Sequence, residues 1–211
     1  ALLLAEMRAV PRMKEEELES PTLEVSLLIP ARGAAHALEQ TVKQAHQFLS
    51  RAFSDSFEII LIPNPSPTPK PGTPLDRSTE VSQQIAARFD RVRVSPHRLP
   101  QGKGAALRTG FKSSRGRLIF FTDADLPYDL GFFETAAAQL RAGFDFVTGN
   151  RRLEASIFNV PVGLLRLAYS RHRLGLAFNR VVRWLMPIHT TDTQAGIKAM
   201  SRRLATAAFM R

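Results

Sequence analysis

Leu118-Ile119-Phe120-Phe121-Thr122-Asp123-Ala124-Asp125-Leu126-Pro127 is the stretch on which the reading of this chain turns. From Leu118 to Thr122 the residues are apolar or β-branched without polar alternation, the pattern of a strand covered on both faces. Such strands belong to parallel sheets with helices packed above and below. Two acids then follow, separated by a small residue, and a proline forces the chain to turn. They stand at the carboxyl edge of the sheet, where open α/β folds bind their ligands.

Working outward, the same strand signal recurs at 25–29, 57–62, 91–94 and 144–148, and helical patterns fall between at 36–51, 79–89, 103–114 and 131–141. Alternation of this kind predicts an α/β fold with a mostly parallel sheet flanked by helices. Residues 1–22 are mixed and charged and read as an N-terminal arm or helix, with one domain over 23–211. The segment 63–79 carries six prolines and reads as an irregular loop. After Asn150 the pattern changes. Leu164 to Met186 is apolar but studded with arginines, a turn follows at 189–192, and a last strand is expected over 195–200.

The chain has 211 residues, 29 Lys and Arg against 19 Asp and Glu, and a formal charge of +10, a balance that favours anionic partners. It has no cysteine, so a metal would be held by carboxylate, imidazole or water, and a cytoplasmic setting fits. The opening Ala1-Leu2-Leu3-Leu4-Ala5 run is too short for an export signal, and no apolar stretch approaches the roughly 18 residues of a membrane span. A membrane, if met, is met from one side. Charge alone also suits a nucleic-acid binder, but the aromatic interleaving and motifs of such proteins are missing, so nucleic acid is not an expected partner.

Four motifs carry chemistry. Asp123 and Asp125 repel one another unless a donor or cation relieves them, and a hard divalent ion does so with one or two carboxylates plus substrate phosphates. The bland reading is a helix cap, with Asp125 or Asp129 serving the helix that starts near Gly131. Gly102-Lys103-Gly104 opens a helix, where glycines allow backbone amides to approach a phosphate, although it is neither of the familiar nucleotide fingerprints. Thr191-Asp192-Thr193-Gln194-Ala195-Gly196-Ile197-Lys198 joins a carboxylate, an amide and a cation, or is simply a polar hairpin. Finally Arg166, Arg173 and Arg180 share one face of the segment 164–186, with Arg171, Arg183 and Trp184 nearby. That is a solvated stripe or an amphipathic basic helix lying in a headgroup layer.

In this order the pieces resemble the family-2 glycosyltransferases of GT-A fold, most closely the dolichyl-phosphate glucosyltransferase and polyprenyl-phosphate sugar transferase branch. The resemblance runs from Glu24 to Phe209 and rests on Ser26-Leu27-Leu28-Ile29-Pro30-Ala31, Gly102 to Arg108, Asp123-Ala124-Asp125, Thr148-Gly149-Asn150-Arg151 and Asp192 to Lys198. It implies transfer of a hexose, glucose or mannose, from a UDP or GDP sugar to a polyprenyl or dolichyl phosphate, with inversion and with Mg2+ or Mn2+ at the donor diphosphate. It further implies a peripheral position on the inner face of a membrane, with an anionic surface as partner and residues 157–187 facing acceptor or lipid. Carried over residue by residue, Asp125 becomes the metal ligand and Asp123 a second ligand or ribose contact. Pro30, Ala31, Asn64 and Lys103 join the donor site. Arg151, Arg171, Arg173 and Lys198 meet the acceptor phosphate, and Asp192 and Gln194 line the sugar pocket.

Two stretches depart from the family pattern. Pro30-Ala31-Arg32-Gly33-Ala34-Ala35 lacks the aromatic and acids usual after the first strand, and Pro63-Asn64-Pro65-Ser66 stands where two aspartates are usual. Asn64 still offers a donor and an acceptor to a base edge. These losses give the alternative of a glycosyltransferase-like module that binds nucleotide or phosphate without turnover.

Overall fold

In a computed structural model the described residues are 21–64, 76–95, 102–126, 128–150, 192 and 194–210. They contain six strands, β1 (Leu23–Ala31), β2 (Phe57–Pro63), β3 (Val92–Val94), β4 (Gly116–Phe121), β5 (Phe146–Thr148) and β6 (Lys198–Ser201). The helices are α1 (Ala35–Phe53), α2 (Ser78–Ala86), α3 (Gly102–Lys112), α4 (Gly131–Arg141) and α5 (Arg202–Phe209). The sheet runs β3-β2-β1-β4-β6-β5. All pairings are parallel except those of β6, which is antiparallel to both β4 and β5.

The alternation of side chains along each strand builds two cores. Val25, Leu27 and Ile29 of β1 with Phe120 of β4 face Leu38, Val42 and Leu49 of α1, Ile85 of α2 and Phe133 and Leu140 of α4. Leu28 of β1 and Ile119 and Phe121 of β4 face Ala106, Leu107 and Phe111 of α3 and Leu204 and Ala205 of α5. Helices on both faces explain why β2 is buried along its whole length and shows no polar alternation. The buried positions of α1, Leu38, Thr41, Val42, Ala45, Leu49 and Phe53, recur every three or four residues, as a helix with one covered face requires.

At the amino end of the sheet Glu58 is almost fully buried and still ionised. Its side chain is 1% exposed, and it accepts from Ser26 Oγ at 2.7 Å, Arg93 Nε at 2.8 Å and the Arg115 N–H at 2.7 Å. Burial alone would raise its pKa, but the hydrogen bonds from Arg93, Ser26 and Arg115 and the Arg93 charge outweigh it and hold the carboxyl below its ordinary value.

The last strand begins later than its composition implies, at Lys198 instead of Ala195. The Asp192 carboxylate and the Tyr128 hydroxyl bind the backbone N–H groups of Gln194 and Gly196 and bend the chain there. Of the expected arm 1–22, residues 1–20 lie outside the described residues, as do residues 65–75 of the expected loop 63–79 and all of the segment 157–187; at the ends of that expected loop Pro63 belongs to β2 and Ser78 and Thr79 to α2. Among the described residues no helix is long and apolar enough to cross a membrane.

Candidate active site

The parallel strands β1, β2 and β4 all end at one edge, and β6, running the other way, begins there, with Phe121 opposite Lys198. β5 ends at the same edge, Thr148 opposite Lys198. The topology therefore delivers Ala31, Asn64, Asp123 and the turn 192–197 to one rim. Asn64 is nearly buried, and its N–H donates to the Ala31 carbonyl at 2.9 Å, tying the ends of β1 and β2.

Asp123-Ala124-Asp125 is anchored by its middle residue. Ala124 is buried, and its carbonyl accepts from Thr41 Oγ1 of α1 at 2.7 Å. With alanine pointing inward, the flanking acids are left at the surface. Asp125 is exposed and takes no hydrogen bond or ion pair among the described residues. Asp123 is partly covered and its Oδ1 pairs with Lys103 Nζ. Its Oδ2 lies against the backbone of Gly196, so close that a Cβ on Gly196 would be 1.8 Å from Oδ2 and 2.7 Å from Cγ. The Gly196 N–H donates to the Tyr128 hydroxyl at 2.6 Å, which pins the turn over the acid.

The first N–H of α4, that of Gly131, donates to Asp129 Oδ1 at 2.7 Å, one residue ahead of Leu130, the N-cap, whose side chain supplies no cap. Asp125 has no part in it, so the bland explanation of the acid pair applies to a neighbour. Gly102 opens α3 with φ of 82°, a left-handed conformation that suits glycine. Lys103, one residue on, points its ammonium toward the ring of Phe121, 6.0 Å from the centroid. Lys198 approaches the same ring at 5.6 Å and donates to the Ala195 carbonyl. Two cations from different elements thus flank the strand that ends in the acid pair.

Asp192 is buried, 1% exposed, and its Oδ1 accepts from the Gln194 N–H at 2.9 Å, while the Gln194 side chain is exposed. The carboxylate shapes the turn. Pro30 and Ala31 close β1, and beyond them the Gly33 N–H donates to Asp76 Oδ2 at 3.0 Å. Asp76 also accepts from the Ser78 N–H and Oγ at the start of α2. Burial by itself would raise the Asp76 pKa, but those bonds and the Arg32 charge outweigh it and lower it. Arg151, Arg171 and Arg173 lie outside the described residues.

The structure therefore brings together Lys103, Asp123, Lys198 and the turn carrying Asp192 and Gln194, with Asp125 beside them. Thr41, Asp76, Tyr128 and Gly196 have parts that sequence reading did not assign. Gly196 belongs to the polar motif 191–198, but its contact with Asp123 arises only through the fold. Among the described residues no three acids, histidines or cysteines converge. An exposed Asp125 beside an Asp123 seated on a glycine nevertheless suits a hard ion that takes one or two carboxylates and completes its shell with phosphate and water.

A family model described as Glycosyl transferase family 2 matches residues 26–203. "Glycosyltransferase AglD" of Haloferax volcanii is 30% identical over 184 residues, 85% of this chain and 27% of that protein. "Dolichyl-phosphate beta-glucosyltransferase ALG5D" of Trichomonas vaginalis is 26% identical over 204 residues, 91% of this chain and 58% of its own length. The chain thus spans between about a quarter and three fifths of these relatives. Among solved structures, mannosyl-3-phosphoglycerate synthase from Rubrobacter xylanophilus superposes with a TM-score of 0.60 at 18% identity, covering 86% of this chain and 54% of that one. A mannosyltransferase from Pyrobaculum calidifontis, solved with GDP-Man and Mn2+, gives 0.56 at 16% identity, covering 92% and 49%. These likenesses establish the GT-A arrangement of the sheet.

Proposed function

Because the chain belongs to glycosyl transferase family 2, we propose that it moves a hexose from a UDP or GDP sugar to a polyprenyl or dolichyl phosphate at a membrane surface. The observation that carries the donor half is the Asp-Ala-Asp turn, with Ala124 locked to Thr41, Asp125 exposed and Asp123 set between Lys103 and Gly196. Two relatives named as sugar transferases to dolichyl or undecaprenyl phosphate support the acceptor half.

Asp125, with Asp123 beside it, would hold Mg2+ or Mn2+. A bound ion of this kind supplies positive charge at the donor diphosphate, where charge builds as the sugar departs. Lys103 and Lys198 add two ammoniums at the same rim, and Asn64, Pro30 and Ala31 lie at the ends of β1 and β2, where they would border the nucleoside. An acceptor phosphate is already an anion. Its oxygen bonds to the anomeric carbon from the face opposite the leaving group, the bond from that carbon to the diphosphate oxygen breaks, and the nucleoside diphosphate departs with the electron pair. No general base is required, so the protein's tasks are alignment and charge neutralisation. We assign Arg151, Arg171 and Arg173 to the acceptor phosphate from sequence, together with Lys198, whose ammonium shares the Phe121 ring with Lys103 and so can meet either phosphate, and the basic segment 157–187 to the inner face of a membrane.

Calorimetry of UDP and GDP with and without Mn2+ tests the donor site. Asp125→Asn is expected to abolish metal-dependent nucleotide binding, and unchanged affinity overturns the assignment. The Pro63-Asn64 ending of β2 favours one second reading, a module that binds nucleotide without turnover. Metal-dependent binding with no sugar transferred or hydrolysed identifies it.

A further inference from the structure

We infer that Lys103 is the resident counter-cation of the Asp123 carboxylate and changes partner, from that carboxylate to the donor diphosphate, so that a divalent ion and a nucleoside diphosphate bind cooperatively through it. The inference rests on the donor-site reading of the preceding subsection and goes beyond it by assigning Lys103 a coupling role.

The geometry leaves Asp123 little choice. Lys103 Nζ holds Oδ1, and Oδ2 faces Gly196 so closely that a Cβ there would stand 1.8 Å from it, so both carboxylate oxygens already have a neighbour. That turn is itself fixed, by Tyr128 on the Gly196 N–H and by Asp192 on the Gln194 N–H. A divalent ion arriving at the acid pair therefore meets an ammonium already on one of the two carboxylates, and like charges sharing a carboxylate repel. The lysine is the member able to move. Its side chain is 44% exposed, on a flexible four-carbon stem in the first turn of α3. A destination lies close by, because Lys198 already sets a second ammonium over the same Phe121 ring. A diphosphate at this rim gives Lys103 two charges to meet beside Lys198, and leaving Asp123 opens that carboxylate to the ion. By linkage, whatever factor the nucleotide adds to ion affinity, the ion adds to nucleotide affinity.

The pair is partly solvated, so its grip is modest, of the size measured for exposed ion pairs. Removing the ammonium should thus tighten ion binding by about two- to five-fold. The test is titration of Mn2+, followed by the paramagnetic resonance of the free ion, and calorimetry of UDP and GDP, each ligand alone and in the presence of the other. Wild type is compared with Lys103→Met and Lys103→Arg, with thermal melts to verify folding. Lys103→Met is expected to bind Mn2+ alone more tightly, to bind nucleotide more weakly, and to lose about two- to five-fold of the coupling, whereas Lys103→Arg retains it. If Lys103→Met binds Mn2+ alone no more tightly than wild type, the exchange of partners is wrong although the donor site stands. If wild type shows no Mn2+-dependent binding of either nucleotide, the donor-site reading fails and the inference falls with it.

Discussion

Replacing Gly196 with alanine puts a methyl group where nothing larger than hydrogen fits. The new Cβ would stand 1.8 Å from Asp123 Oδ2, 2.7 Å from its Cγ and 3.0 Å from the Tyr128 hydroxyl. Gly196 does not occupy the left-handed region, so the substitution strains no backbone angle and its cost is purely steric. To restore normal contact the carboxylate must retreat by roughly 1.5 Å, or the turn must lift by as much. The yielding group is the end of a partly exposed side chain, which places the loss of stability at the low end of overpacking, about 1 kcal/mol. At this chain length that lowers Tm by ~2–4 °C. The effect on function is larger, because a displacement of about 1 Å at a reacting centre can cost on the order of 100-fold. Thermal melts and calorimetry of UDP and GDP with Mn2+ make the comparison. The variant is expected to fold, with the small drop in Tm, and to lose at least about ten-fold in Mn2+-dependent nucleotide affinity. A variant that melts as expected yet binds nucleotide like wild type would refute the idea that this close approach sets the orientation of Asp123.

Two further outcomes concern the rest of the sheet. Glu58 has a folded pKa below its ordinary value of 4.5, so its contribution to stability is present above that pH and is lost as pH falls through the lower folded value. Acid titration followed by circular dichroism should show this loss below about pH 4.5 in wild type and a smaller one in Glu58→Gln, which is itself destabilised by roughly 1.5–3 kcal/mol at neutral pH; equal acid sensitivity removes Glu58 as the cause. Thr122 is fully buried and its hydroxyl has no hydrogen-bond partner among the described residues, so Thr122→Val should raise Tm by ~2–4 °C, as relief of about 1 kcal/mol of unmet polar burial predicts, and a lower Tm contradicts this.

How far the sequence could be read depended on the range of each interaction. The strand Leu118 to Phe121 announced itself because both its faces are covered, and the helix after Gly102 because its start is a local matter. Strand order is another kind of fact. Nothing in the apolar run near Ala199 says that it inserts between β4 and β5, since periodicity reports which faces are covered and not which neighbour covers them. The same limit explains Ala195, which reads as strand by composition but is held in a bend by two side-chain contacts. One of these comes from Tyr128, distant in sequence. The acid pair itself was legible; the lysine, glycine and tyrosine that shape Asp123 meet it only through the fold.

The place of β6 bears on how the protein is made. β4, which presents the acid pair, can pair with β1 as soon as it is made, but its other edge stays open until β6 emerges roughly 80 residues later and closes a second long loop in the sheet. Until then a newly translated chain offers an unpaired, apolar strand edge of the kind that recruits other chains. Closing that edge also carries Lys198 and Gly196 into place, so the step that ends the hazard of aggregation is the step that completes the rim.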